Sequence, residues 1–208
     1  VDDRWDKFSS FEEYDAFLSG ILAESKRVMK PDANIWVIAT YHSIFRIGRI
    51  MQDLGYWTLN DVISVKSNPM PNWLGVRFTN ATETLIWATA SRDAKHYFDR
   101  TVARELGGGK VGANVWNIPI CSGKERVRES NGQRLHSTQK PLKLLQNIMK
   151  VSTRPGDLLL DPMAGTGTSC VAAAMLGRHF LGIEREKRYA EAALKRIDAL
   201  KNSKVLYG

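Results

Sequence analysis

Cysteine is almost missing from this sequence of 208 residues. Cys121 and Cys170 are the whole complement, far apart and outside any C-x-x-C spacing, which argues against a disulfide framework and a cysteine-based zinc site and fits a reducing, cytoplasmic compartment. Long apolar runs are also lacking. Stretches such as Ile35 to Ala39 and Leu158 to Leu160 fall far below the roughly 18 residues of a membrane span, so no membrane is expected as a partner. His136 and His179 stand apart from ligand-like neighbours, and no metal site is expected. The chain has neither an initiator Met nor a signal-like start. Val1-Asp2-Asp3-Arg4-Trp5 is expected to open a fragment of something longer.

What is present describes one ordinary domain, 43% hydrophobic and 25% charged, with enough apolar material for a core. The net charge of +8 is unevenly spread. Residues 91–150 hold 12 Lys and Arg against 5 Asp and Glu, together with the loop-like Gly107 to Lys110 and Ser130 to Gln133. A basic, irregular segment of this kind suits a polyanion, or is simply a solvated loop.

Periodicity organises the remainder. Apolar residues at Phe11, Tyr14, Phe17, Leu18, Ile21, Leu22 and Val28 predict a helix within Ser9 to Lys30, capped by Ser9 or Ser10 and stopped by Pro31. Ile35 to Thr40 reads as a buried strand, His42 to Leu54 as a helix, and Thr58 to Lys66 and Glu83 to Thr89 as further strands. Residues 90–135 show no sustained period. Order returns with a helix over Pro141 to Val151, a strand at Leu158 to Leu160, a helix over Thr168 to Leu176, a strand at Phe180 to Ile183 and a last helix over Lys187 to Lys201. Strands alternating with helices predict an α/β sheet with helices on its faces.

The most specific segment is Asp161-Pro162-Met163-Ala164-Gly165-Thr166-Gly167-Thr168, set between an apolar strand and a helix. Open α/β sheets bind ligands at such loops, and Gly165 and Gly167 let the backbone approach a bound molecule. Glu184, at the end of the next strand, can accept both ribose hydroxyls of an adenosine-containing cofactor. A nicotinamide dinucleotide would normally be accompanied by G-x-G-x-x-G, but the third glycine position here is Cys170. A methionine-bearing cofactor offers an ammonium group for a carboxylate such as Asp161 to hold. A tight turn without a ligand is the bland alternative. Gly107-Gly108-Gly109-Lys110 is not a phosphate loop, since Arg104 occupies the first glycine position, Val111 follows the lysine and no strand precedes it.

Asp161 to Thr168, Phe180-Leu181-Gly182-Ile183-Glu184 and the preceding His136-Ser137-Thr138-Gln139-Lys140-Pro141 together resemble the beta group of S-adenosylmethionine-dependent DNA amino-methyltransferases. Val1 to Asp6, Lys66 to Asn72 and Arg77 to Ala88 look most like the cell-cycle-regulated adenine-N6 enzymes that modify GANTC. Ser137 stands where that family usually has Pro, and Met163 where it has Phe, which removes an aromatic face from the cofactor site.

The resemblance implies a Rossmann-like methyltransferase sheet, largely parallel with an antiparallel strand and helices on both faces. It implies S-adenosylmethionine held by Asp161, Met163, Gly165, Gly167, Thr168 and Glu184, with Thr138, Gln139 and Lys140 near its methionine carboxylate. One structural domain would comprise part of the target-base half (1–90), a DNA-recognition segment (91–135) and the cofactor half (136–208). The family's catalytic tetrapeptide, Asp-Pro-Pro-Tyr or Ser-Pro-Pro-Tyr, occurs nowhere in the sequence. No catalytic residue is therefore assigned, and the strand that ends in that motif, central in the family's sheet, is expected to be missing.

The expected partner is double-stranded DNA, with a second copy of the chain as a further candidate. Arg92, Lys95, Arg100, Arg104 and Lys110 are candidates for phosphate, and Lys66, Asn68, Asn72, Arg77, Asn80, Arg126 and Arg128 for base edges. Trp73 and Trp116 are expected in the core. Cytosine-N4 methylation, a nicotinamide-dependent oxidoreductase and a noncatalytic nucleic-acid-binding module are the alternatives.

Overall fold

The computed structural model describes residues 7–109 and 112–202, so Val1 to Asp6 and Lys110 lie outside the described residues. The elements in chain order are α1 (Phe11–Val28), β1 (Asn34–Ala39), α2 (Ile44–Asp53), β2 (Trp57–Val65), β3 (Thr82–Thr89), α3 (Arg100–Leu106), β4 (Val115–Asn117), α4 (Leu142–Ser152), β5 (Leu158–Asp161), α5 (Thr168–Met175), β6 (His179–Gly182) and α6 (Lys187–Asn202). The Ser10 side chain caps α1 by accepting from the Glu13 N–H, and Met29 is already extended, ahead of Pro31. Helix α3 and strand β4 emerge from the segment without a period. Asp99 caps the short helix through the N–H groups of Thr101 and Val102.

The strands form a four-stranded sheet, ordered β1-β3-β2-β4, and a separate pair, β5-β6. β3 runs antiparallel to both β1 and β2, whereas β4 is parallel to β2 and β6 to β5. The sheet is thus mixed, not largely parallel. The antiparallel ladders are the longer ones, because β2 returns directly as β3 without a crossover helix.

The four-stranded sheet is covered on both sides. Leu18 and Leu22 of α1 and Ile47, Ile50 and Met51 of α2 pack with Ile86 and Ala88, while Leu144, Ile148 and Val151 of α4 join Val62, Leu85 and Trp116 on the opposite side. β3, covered on both faces, is buried from Leu85 to Thr89. β1 has only one strand neighbour, so the run expected to be buried is mostly half-buried and only Ala39 is fully enclosed.

The β5-β6 pair is covered on one side. Leu159 and Phe180 face Met149, Ala172 and Ala173, whereas Leu158, Leu160 and Leu181, of opposite alternation, are exposed. Helix α4 spans the break: Leu145 packs against both the four-stranded core and the α5 cluster. Asn34 Nδ2 and Trp36 Nε1 of β1 also bond Ser152 at the end of α4.

Candidate cofactor cleft and nucleic-acid face

The loop after β5 is built as a receptor for backbone and side-chain donors. Asp161 Oδ1 accepts the Met163 N–H at 3.0 Å, and Ser169 donates its hydroxyl to Oδ2. Gly165 and Gly167 have φ of +55° and +73°, the left-handed region that disfavours a side chain. Glu184, just beyond β6, accepts the Gly165 N–H at 2.7 Å on Oε2 and the Glu186 N–H at 2.8 Å on Oε1. Two backbone donors fix this carboxylate, yet each oxygen retains a lone pair for a further donor. Met163 and Ile183 remain 53% exposed beside these acids, an apolar surface without a cover.

Sequence reasoning gives both glycines a ligand-facing purpose, but the structure separates them. A Cβ at Gly167 would lie 2.6 Å from Ala193 Cβ on α6, so this glycine permits helix packing. A Cβ at Gly165 would lie 3.3 Å from His136 Nε2, which places the 136–140 segment directly against the loop. Gly182 receives no role from the sequence. Its absent Cβ would meet Cys170 Sγ at 2.7 Å, so the close helix-to-strand approach served by a third glycine in dinucleotide folds comes here from the strand.

Arg196 of α6 is a second residue that sequence reasoning misses. Its guanidinium donates to Thr166 O at 2.6 Å and to Thr168 Oγ1 at 3.1 Å, clamping the glycine loop, and burial pushes its pKa below the ordinary guanidinium value. Only a position on a distant helix marks it.

The three residues expected near the methionine carboxylate differ in their surroundings. The Thr138 N–H donates to His136 Nδ1, and Thr138 is exposed. Lys140 Nζ lies 3.0 Å from Glu83 Oε2. Gln139 is buried, its Oε1 accepting from the Val127 N–H and its Nε2 donating to Glu125 O. Both ends of that amide hold main chain, which gives Gln139 a scaffold position.

Several base-reading candidates make internal bonds of the same kind. Asn68 Oδ1 accepts from the Ile120 N–H, and Asn72 Nδ2 donates to Arg77 O. Arg77 donates to the Tyr41 hydroxyl, Arg126 Nη2 to Cys121 O and Arg128 Nη1 to Gly132 O. Lys66 Nζ reaches Asn80 O at 3.3 Å and Glu83 Oε1 at 3.7 Å. Arg92 lies over the Trp57 ring, and it is exposed along with Lys95, Arg100 and Arg104. Trp116 is in the core as expected. Trp73 is not: it is 84% exposed, because its loop leaves the sheet.

Among the described residues, no group of three His, Cys, Asp or Glu side chains could hold a metal, and no helix is long and apolar enough to cross a membrane.

Comparison with known proteins matches this architecture. The DNA methylase family model for N6 and N4 enzymes covers residues 1–195. The chain is 46% identical over 201 residues to the Type II methyltransferase M.HinfI of Haemophilus influenzae, covering 97% of this chain and 56% of that protein. It is 39% identical to M2.DpnII of Streptococcus pneumoniae, with 94% and 71% covered. It thus spans about half the length of the first relative. Among solved structures, the M1.HpyAVI-SAM complex superimposes with a TM-score of 0.74 at 30% identity, covering 88% of this chain and 83% of that one. The cytosine-N4-specific PvuII DNA methyltransferase gives 0.74 at 19% identity, covering 100% and 83%, and shows the fold alone. By sequence and by architecture, the chain belongs to the N6/N4 DNA methylase family.

Proposed function

We propose that this chain is the greater part of a site-specific adenine-N6 DNA methyltransferase that uses S-adenosylmethionine. The observation that carries the reading is the arrangement of Glu184: a carboxylate at the end of β6, fixed by the Gly165 and Glu186 N–H groups beside the Asp161 loop, with acceptor capacity to spare. Its oxygens suit the vicinal ribose hydroxyls. Exposed Met163 and Ile183 suit the faces of an adenine ring, and Asp161 suits the ammonium group. Lys140 would meet the methionine carboxylate. Bound there, the cofactor supplies an electrophilic methyl group on a sulfonium centre. The likeness to M1.HpyAVI, a protein crystallised with SAM, supports the same choice.

Adenine rather than cytosine follows from the likeness of Lys66 to Asn72 and Arg77 to Ala88 to the GANTC-modifying enzymes. Methyl transfer to an exocyclic amine is an in-line displacement, so alignment and exclusion of water dominate, and the target base must leave the duplex to reach the cleft. The acceptors for the amine's hydrogens would come from the Asp-Pro-Pro-Tyr strand, which these 208 residues do not contain. That strand would join the four-stranded sheet to the β5-β6 pair, which α4 already links, and so complete a Rossmann-like sheet. On this reading residues 136–208 form the cofactor half, 1–90 part of the target half and 91–135 the recognition segment, meeting double-stranded DNA in a reducing cytoplasm.

Titration of S-adenosylhomocysteine and S-adenosylmethionine into the chain and into Glu184→Ala tests the assignment. Loss of a carboxylate that accepts ribose hydroxyls is expected to weaken binding by roughly 10- to 100-fold. Equal affinities would remove Glu184 from the site, and a thermal shift with NAD alone would favour the oxidoreductase.

A further inference from the structure

The segment joining β2 to β3 does something unusual for its composition. Trp73 is 84% exposed, Leu74 82%, Val76 77% and Phe78 99%, with Met70 beside them also exposed. Isolated exposed apolar residues are ordinary, but a run of them on one loop marks a contact surface.

The loop is held in this form by its own polar groups. Lys66 N–H donates to Ala81 O at its base, Gly75 N–H to Asn72 O at its tip, and Asn72 Nδ2 to Arg77 O at 2.6 Å across it. Asn68 ties it to Ile120. The amides that could have read bases therefore shape the loop, while its apolar side chains face outward.

Two features select the occupant. From Val62 to Thr82 there is no Asp or Glu, and the exposed cation Arg77 stands between Trp73 and Phe78, which complements a polyanion that also presents flat apolar faces. The base of the loop is also joined to the cofactor side. Glu83, at the start of β3, accepts from Lys140 Nζ at 3.0 Å and lies 3.7 Å from Lys66 Nζ, and Lys140 continues the segment whose His136 packs on Gly165.

We propose that Trp73 and Phe78 enter the base stack of bound DNA, occupying space beside the extruded base. This rests on the methyltransferase reading and adds a part to it. Extruding a base sacrifices stacking, and an aromatic ring set against the neighbouring bases restores some of it without sequence preference. Arg77, exposed beside the rings, would hold a flanking phosphate.

The test compares the wild type, Trp73→Ala/Phe78→Ala and Trp73→Phe on GANTC-containing duplexes, either intact or abasic at the adenine, across a salt series. The alanine pair is expected to lose affinity by about tenfold or more while the slope of log K against log salt stays unchanged, since rings contact no phosphate. Trp73→Phe should keep wild-type affinity, and the wild-type preference for the abasic duplex should vanish in the alanine pair. Trp73 emission, read as the difference between wild type and Trp73→Phe, should fall when DNA binds. Undiminished affinity in the alanine pair, or Trp73 emission indifferent to DNA, would overturn the proposal. So would a concentration-dependent dimer that the alanine pair abolishes while DNA binding persists, which would mean that the loop meets a second copy. A thermal shift with S-adenosylhomocysteine in every variant verifies the cleft separately, so a failed loop and a failed methyltransferase reading give different results.

Discussion

The four-stranded sheet and the β5-β6 pair solve the same packing problem to different degrees. β3 lies between α1 and α2 on one side and α4 on the other, and its residues from Leu85 to Thr89 are all buried. β5 and β6 have α4 and α5 on one face only, leaving Leu158 and Leu181 62% and 55% exposed on the other. Most of the hydrophobic stabilisation therefore sits in the four-stranded sheet and the helices on its two faces. The region around the β5-β6 pair depends on a few close approaches, Gly167 to Ala193 and Gly182 to Cys170, and on the Arg196 clamp. The cofactor cleft proposed there would be well served by that allocation, because its fixed parts are local.

The contrast breaks most visibly at matched leucines. Leu85→Ala, at a fully buried position, is expected to cost about 2–5 kcal/mol in denaturant unfolding, while Leu181→Ala on the uncovered face should cost under ~0.5 kcal/mol. Equal losses would mean that the β5-β6 face is covered in solution.

The next effect sharpens the account of the cofactor half. Gly167→Ala adds a methyl 2.6 Å from Ala193 Cβ at a positive φ, and should destabilise by about 2–4 kcal/mol. Gly165→Ala meets only the edge of His136, so it should destabilise less and act mainly on cofactor affinity. Thermal unfolding with and without S-adenosylhomocysteine separates the two.

A smaller effect belongs to the closed half. The Tyr56 hydroxyl donates to Leu22 O at 2.8 Å, and burial pushes its pKa up from 10.0 to about 12. A phenol with a raised folded-state pKa contributes stability that is complete below pH 10 and lost as pH rises through about 12. Unfolding measured between those values should show a decline on the order of 2 kcal/mol that Tyr56→Phe removes. An unchanged decline in the variant would place its source elsewhere.

Much of the frame is legible in the residues, because periodicity reports burial directly. Helices α1, α2, α4, α5 and α6 and strands β1, β2, β3, β5 and β6 fall within a few residues of their expected bounds. Helix α3 and strand β4 are not legible: seven residues and three are too few to establish a period, and β4 is specified by its pairing with β2. That the Asp161 loop and Glu184 lie together at the ends of paired strands is legible, because a strand end, paired glycines and an acid at fixed spacing have a local cause. The packing of Gly167, the main-chain bonds of Gln139 and the clamp of Arg196 are not legible, since Ala193, the 125–127 main chain and Thr166 are distant along the chain. Trp73 departs from its expected core position because an aromatic ring usually reports a core, and nothing local shows that its loop turns outward.

Helix α4 has a further consequence. Since it grips β1 through Ser152 and Leu144 and grips α5 through Met149 and Leu145, the interrupted ladder does not leave two bodies free to swing apart. The helix acts as a splint between the four-stranded sheet and the β5-β6 pair, joining by side-chain packing two sheets that share no ladder among the described residues.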